Sequence, residues 1–307
     1  MQRFIAGRLV QTIVTLFVIS ALVFGLVRLT GSPIDVMLPI EASPEMRADL
    51  TRELGLDQPL YVQYFVFVQK LALADLGMSI RTKKPVTELL MQRLPNSLQL
   101  VGISMLISLL IAFPLGVIAA TLRGGIWDAL ARGVALFGQS IPTFWAGIVL
   151  IYIFAIQFGL LPAGRQGTFA NLILPALTLG LFGFMLAGVV RLLRDSMIEV
   201  LDSEFVKFAR IKGVSETIVV WKHALTNALI PVVTFVGFYF GILISGTVVV
   251  ETVFAWPGIG RLAYEAVQWR DYPVIQGVVL LVSAITLLTN LVVDILYGYL
   301  DPRIRYG

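Results

Sequence analysis

Apolar residues in this chain gather into long runs instead of recurring at the helical or strand period of a soluble domain. Six runs stand out, near Leu9–Val27, Leu98–Leu122, Val134–Phe158, Leu172–Val190, Val232–Val250 and Val274–Leu300. A hydrocarbon layer about 30 Å thick takes roughly 20 helical residues to cross, so each run is read as a membrane span. The expected fold is therefore an all-α membrane protein with six transmembrane helices. Pro114 and Pro142 interrupt two runs, and Pro175 and Pro231 sit near the start of two others. A proline frees a backbone carbonyl, so such helices either carry a packing kink or face protein or a water-filled path. Gly237 and Gly241, and more loosely Gly180, Gly183 and Gly188, are small-residue sets that permit close helix contact.

Composition agrees and narrows the chemistry. Hydrophobic residues make up 58% of the 307 and charged residues 14%. Cysteine is absent, which excludes disulfides and thiolate metal sites, and the single His223 excludes a multi-histidine metal site. The net charge of +4 would suit nucleic acid or anionic lipid, but the basic residues cluster beside apolar runs, which selects lipid and no nucleic acid. Their distribution also orients the chain. Arg3, Arg8, Arg123, Arg132, Arg191, Arg194, Lys207, Arg210, Lys212, Lys222, Arg303 and Arg305 fall on one side, whereas the short loops of the other hold Arg165, Arg261 and Arg270. Both termini are expected in the cytoplasm. The first run is longer than a signal-peptide core and lacks a small-x-small cleavage site, so it is read as an uncleaved helix. The resulting plan is a first helix over 1–30, a long external segment with short helices over 31–96, a core of five further helices over 97–303, and a cytoplasmic tail over 304–307. Within the core, a cytoplasmic loop at 202–231 separates the fourth and fifth spans.

In the external segment, Ser43 is expected to cap a helix with Pro44 at its first position and Gly55 as its stop. Residues Pro59–Gly77 read as an interfacial helix. The cytoplasmic loop contains "ARIKGVSETIVVWKHALTNALIP", Ala209 to Pro231, a charged stretch between very apolar ones. Gly213 suits the left-handed end of one short helix, and the Ser215 hydroxyl suits the cap of the next. In the first helix Phe205, Phe208, Ala209 and Lys212 share a face; in the second, Ile218, Trp221, Leu225 and Ala228 share an apolar one, with Lys222, His223 and Thr226 turned away. Such a stretch either lies on lipid headgroups or offers one face to a cytoplasmic partner.

"ARIKG" followed by "NALIP" resembles the EAA loop of ABC importer permeases: Ala209, Gly213, Ile230 and Pro231 match, while Lys207, Phe208 and Ala209 stand where Glu-Ala-Ala would, a departure typical of the peptide branch. "RLVQTIVTLFVISALVFGLVRL", "LGLDQPLYVQY", "DLGMSI", "RLPNSLQL" and "ETVFAWPGIGRL" are, in that order, similar to the first permease subunit of dipeptide, oligopeptide and nickel importers. The resemblance implies an inner-membrane subunit of a bacterial cell that pairs with a second homologous permease, two cytoplasmic ATPase subunits, and a periplasmic or lipid-anchored substrate-binding protein. ATP and Mg would sit on the ATPases, with no cofactor on this chain. It further implies that Phe208, Ala209, Arg210, Lys212, Gly213, Trp221, His223 and Pro231 transmit ATPase movement. Short peptides are the expected substrate, with nickel chelates, opines or glycosides as family alternatives.

Other features bear on rival functions. No Gly-x-x-x-x-Gly-Lys-Ser/Thr loop, His-Glu-x-x-His or Gly-x-Ser-x-Gly occurs, which argues against a nucleotide site or an enzyme in this chain. An ion-coupled secondary transporter is the alternative, and Asp294 in the last run is its best feature, although it lies near the cytoplasmic end. Gln139, Ser140, Thr143, Ser245 and Thr247 are candidate pathway groups, each equally able to bond a neighbouring helix. In "FAWPGIG", Trp256 could anchor at the interface and Pro257-Gly258 force a turn. The resemblance makes Glu251, Phe254, Trp256, Pro257 and Gly258 a gate or docking element.

Overall fold

A computed structural model describes residues 2–30, 34, 38 and 42–300 of the chain. Arg303, Arg305, the tail at 304–307 and most of the residues joining the first helix to Ser43 lie outside the described residues. Twelve helices are traced: α1 (Gln2–Thr30), α2 (Pro44–Glu53), α3 (Leu60–Ala72), α4 (Val86–Thr121), α5 (Ile126–Ser140), α6 (Thr143–Gln157), α7 (Ala170–Leu181), α8 (Phe184–Leu201), α9 (Glu204–Ile211), α10 (Glu216–Val253), α11 (Ile259–Gln268) and α12 (Tyr272–Leu300). Among the described residues the only β pairing is a single bridge between Met78 and Pro85.

Four of these helices are long and apolar enough to cross a membrane alone: α1, α4, α10 and α12. The two remaining expected spans are not straight. α5 and α6 meet at 95°, and α7 and α8 at 50°, so the count reaches six when each bent pair is taken as one span. Pro142 explains the first bend, since it has no amide to continue the ladder and stands as the N-cap of α6. Gly183 explains the second, with φ +132, a value open to glycine and rarely to other residues. The two breaks are stacked. The Gly183 amide donates to the Gly138 carbonyl at 3.2 Å, and a methyl group added at Gly138 would collide with the Leu181 carbonyl. Pro114, by contrast, lies inside α4 without ending it.

α4 begins at Val86, well before the apolar run that marks it, because Glu88, Gln92 and Arg93 interrupt hydrophobicity without interrupting the helix. Its 36 residues would rise about 54 Å, more than the hydrocarbon requires. It forms the middle of the molecule. One core joins its C-terminal half to α8 and the start of α10 through Ala112, Val117, Leu193, Met197, Ala224 and Val232. A second joins its middle to α7 and the C-terminal half of α10 through Leu100, Leu172, Leu174, Met185, Ile244 and Phe254. The expected small residues set the spacing: Gly180 sits on the Ser104 backbone, Gly188 on the Phe235 ring, and Gly237 and Gly241 on Val293 and Thr286 of α12.

At the periphery α1 packs on α12, where Arg8 pairs with Asp294 at 3.3 Å. The one acid in the last span therefore has a basic partner close to the end of its helix. α3 leans on α1, with the Tyr64 hydroxyl bonded to Ser20 at 2.8 Å and its ring edge-on to Phe17 and Phe24. Ser43 caps α2 by accepting from the Met46 amide, Pro44 holds the first position, and Gly55 follows with φ +62, as the sequence leads one to expect.

Candidate coupling surface and outer clasp

α8 runs directly into the stretch that separates the spans. After Leu201 the chain turns through Asp202 and Ser203 into α9, which buries only Val206. Gly213 then adopts φ +77, the left-handed conformation expected of it. Ser215 takes the N-cap position of α10, but its hydroxyl makes no cap bond, contrary to expectation. The turn is closed instead by an ion pair: Arg210 donates to both carboxylate oxygens of Glu216, at 3.1 and 2.6 Å. The hydrogen bond to Glu216 holds the Arg210 guanidinium above its ordinary pKa, and Glu204, 2.8 Å from the Lys207 ammonium, does the same for that lysine.

The second helix differs from its expected amphipathic pattern. Residues Val219–Ala224 form a π turn, which inserts an extra residue and rotates the buried face onto Val219, Val220, Ala224 and Ala228. Ile218 and Trp221 are consequently 47% and 52% exposed. These two do not dock on the spans, as a regular helix would have required. Phe205 and Phe208 are likewise exposed. Glu204, Phe205, Phe208, Ala209, Lys212 and His223 border an open recess of about 490 Å³. Pro231 lies within α10, not at its start.

Between α5 and α8 lies a charge cluster that the sequence pattern does not reveal. Asp128, at the start of α5, is 1% exposed and accepts from the Gly124 amide, from Arg132, and from Arg194 through two nitrogens at 2.8 and 2.9 Å. It ties the beginning of α5 to α8.

The opposite end of α10 forms a clasp. Glu251 is fully buried and accepts from the Ser97 hydroxyl of α4 at 2.6 Å and from the Arg261 amide at 2.9 Å. Ser97 in turn accepts from the Ile259 amide at 2.8 Å. Gly258 passes so close that a methyl group there would overlap both the Glu251 carboxylate and the Ser97 hydroxyl. Trp256 is 2% exposed, with its indole N–H donating to the Asn96 carbonyl at 3.0 Å. It is a core residue and not an interfacial anchor, because the loop folds back onto α4. Phe254 is buried beside Gly147 of α6, and Pro257 accepts from the Asn96 amide group. The clasp thus gathers Glu251, Phe254, Trp256, Pro257 and Gly258, and adds Ser97 and Asn96.

The five polar pathway residues divide. Gln139, Ser140 and Thr143 flank the break between α5 and α6, with the exposed Ser140 hydroxyl bonded to Leu136. Ser245 is exposed one turn away from Gly241. Thr247 is fully buried, bonded to Ile244 and pressed against Gly260, so in this conformation it faces the core.

Residues 112–306 match the model of the family described as "Binding-protein-dependent transport system inner membrane component", and residues 1–101 match its N-terminal companion. The chain is 42% identical, over the full length of both, to the glutathione transport system permease protein GsiC of Escherichia coli O6:H1 (strain CFT073). It is 39% identical to the dipeptide transport system permease protein DppB of Escherichia coli (strain K12), with 100% of this chain and 99% of that protein covered. Among solved structures, a chain of the MetNI methionine ABC transporter in an inward-facing conformation superposes with TM-score 0.59 at 17% identity, over 69% of this chain and 96% of that one.

Proposed function

This chain belongs to the family of binding-protein-dependent transport system inner membrane components, and from that premise we propose that it forms half of the translocation pathway of an ATP-driven importer for dipeptides or other short peptides. It is a multi-pass protein of the bacterial inner membrane. The names of its relatives support a peptide cargo, and its full-length match to them supports the same division of labour. A second permease completes the pathway, two cytoplasmic ATPases hold ATP and Mg, and a binding protein delivers substrate from outside. Six spans, counting each bent pair once, would put both termini on one side; the basic residues of the short loops support the cytoplasmic side for them, with residues 31–96 outside and residues 202–231 toward the ATPases.

The observation that carries this reading is the exposed aromatic recess around Gly213. Phe205 and Phe208 border the recess and Trp221 is exposed in the same charged stretch, and aromatic groups left uncovered beside a concavity mark a protein contact. ATP-driven closure of the ATPases would press on α9, and α8, continuous with it through Leu201 and Asp202, would carry the movement to the stacked breaks and to Gln139, Ser140 and Thr143. The Glu251 clasp keeps the outer ends of α4, α10 and α11 together as this happens.

Gly213→Val tests the coupling role. A methyl group at Gly213 meets nothing within 4 Å, so the substitution acts through the left-handed backbone alone, at a cost of about 1–2 kcal/mol. Co-purification of the ATPases should fall, or ATP hydrolysis should become uncoupled from uptake, while the separate binding protein keeps its substrate affinity. Wild-type coupling in the well-folded variant would assign the stretch to the lipid surface instead.

A further inference from the structure

The outer segment ends in a cationic hairpin whose rigidity exceeds what a connecting loop requires. Residues 79–84 turn back on themselves, with the Ser79 amide donating to Lys84 and the Lys83 amide to Ser79. The hairpin is fastened to the loop before α12 by Asp271, 3% exposed, whose carboxylate accepts from the Ser79 hydroxyl and from the Ile80 and Arg81 amides. That acid is engaged by backbone and hydroxyl groups, and no guanidinium bond to it is formed by Arg81. The Arg81 guanidinium lies 4.2 Å over the Trp269 ring. Lys83 and Arg270 both hold φ above +50°, a conformation that costs a side-chain-bearing residue free energy and persists where the surroundings impose it. All three cations are exposed, as is Lys84, which pairs with Glu88 at 3.9 Å.

From this we infer that Arg81, Lys83 and Arg270, with Lys84 at their edge, are a preformed docking surface for an acidic patch on the substrate-binding protein. The inference rests on the outward placement of residues 31–96 proposed above. A soluble protein approaching a membrane gains orientation and on-rate from fixed opposite charge, and cations already held by an aromatic ring and a braced turn lose little freedom on contact. Mobile lysines would suffice for lipid headgroups, whereas a braced, stacked geometry serves a partner of defined shape.

The test uses the assembled importer in vesicles with and without anionic lipid, carrying R81E/K83E or, as the neutral control, R81Q/K83Q. The binding-protein concentration that half-saturates ATPase stimulation should rise at least tenfold for the reversed pair and less for the neutral pair. Its salt dependence should flatten, with maximal stimulation within twofold of wild type, which also certifies the fold. An unchanged half-saturation overturns the inference, and so does a change that follows anionic lipid content and not the binding protein. Lys83→Cys, in a chain without cysteine, separates the two readings. Reaction with an impermeant thiol reagent from outside upholds the orientation whatever the ATPase result, whereas reaction only from the cytoplasmic side overturns the orientation and the docking surface together.

Discussion

Replacing Asp128 with alanine should destabilise the folded permease by about 3 kcal/mol, the largest loss expected from any single side chain at this end of α5 and α8. Breaking a buried ion pair from one side costs about 3–5 kcal/mol because the remaining charge stays covered. The lower end applies here because Arg194 is 18% exposed and can recover some water, whereas Asp128 is sealed. The Gly124 amide loses its acceptor as well. If the energy resides in the pair, Asp128→Ala combined with Arg194→Met should recover much of the loss, since the double variant buries no unmatched charge. Thermal inactivation of the detergent-solubilised complex would measure this. A double variant as unstable as the sum of the singles would show instead that the two side chains act independently.

Gly258→Ala is expected to have the second large effect, and to act at the clasp beyond the C-terminal end of α10. Its methyl group would displace the Glu251 carboxylate from the Ser97 hydroxyl and the Arg261 amide. Overpacking of this kind costs about 1–3 kcal/mol, and leaving a buried acceptor unmatched adds a comparable amount. Glu251→Ala removes the acceptor without the clash and should be less severe. Glu251→Gln should be mildest, because its amide can present oxygen to Arg261 and nitrogen to Ser97. The order should appear both in thermal stability and in ATP hydrolysis in the absence of binding protein, which rises as α4, α10 and α11 lose their tie. Equal effects from the alanine and glutamine variants at Glu251 would remove hydrogen bonding as the cause.

Local signals were legible where a residue's own backbone decides the outcome. Ser43 with Pro44 marked the start of α2, and Gly213 marked a left-handed helix end, because capping and positive φ depend on the residue itself. Apolar runs located the spans because the bilayer imposes their length. What escaped was set by partners distant in the chain. Asp128 and Arg194 are separated by 66 positions, and neither looks unusual among loop charges until α5 and α8 pack. Glu251 reads as the polar end of a span, and only Ser97, 154 positions earlier, turns it into a clasp. Trp256 suggested an interface because tryptophan favours that depth, yet the Asn96 carbonyl draws its indole inward. The exposed Trp221 follows from the π turn at Val219–Ala224, which no 3.6-residue pattern predicts.

The stacked breaks also bear on biosynthesis. At the start of α6 the amides of Thr143, Phe144 and Trp145 precede the first amide bonded within that helix, Ala146 to Pro142, and Pro142 has no side chain able to cap them. Phe144 and Trp145 are half exposed there. A copy inserted with nothing packed over the bend would turn those amides toward acyl chains, which accept no hydrogen bonds. The penalty vanishes once protein or pathway water covers the bend.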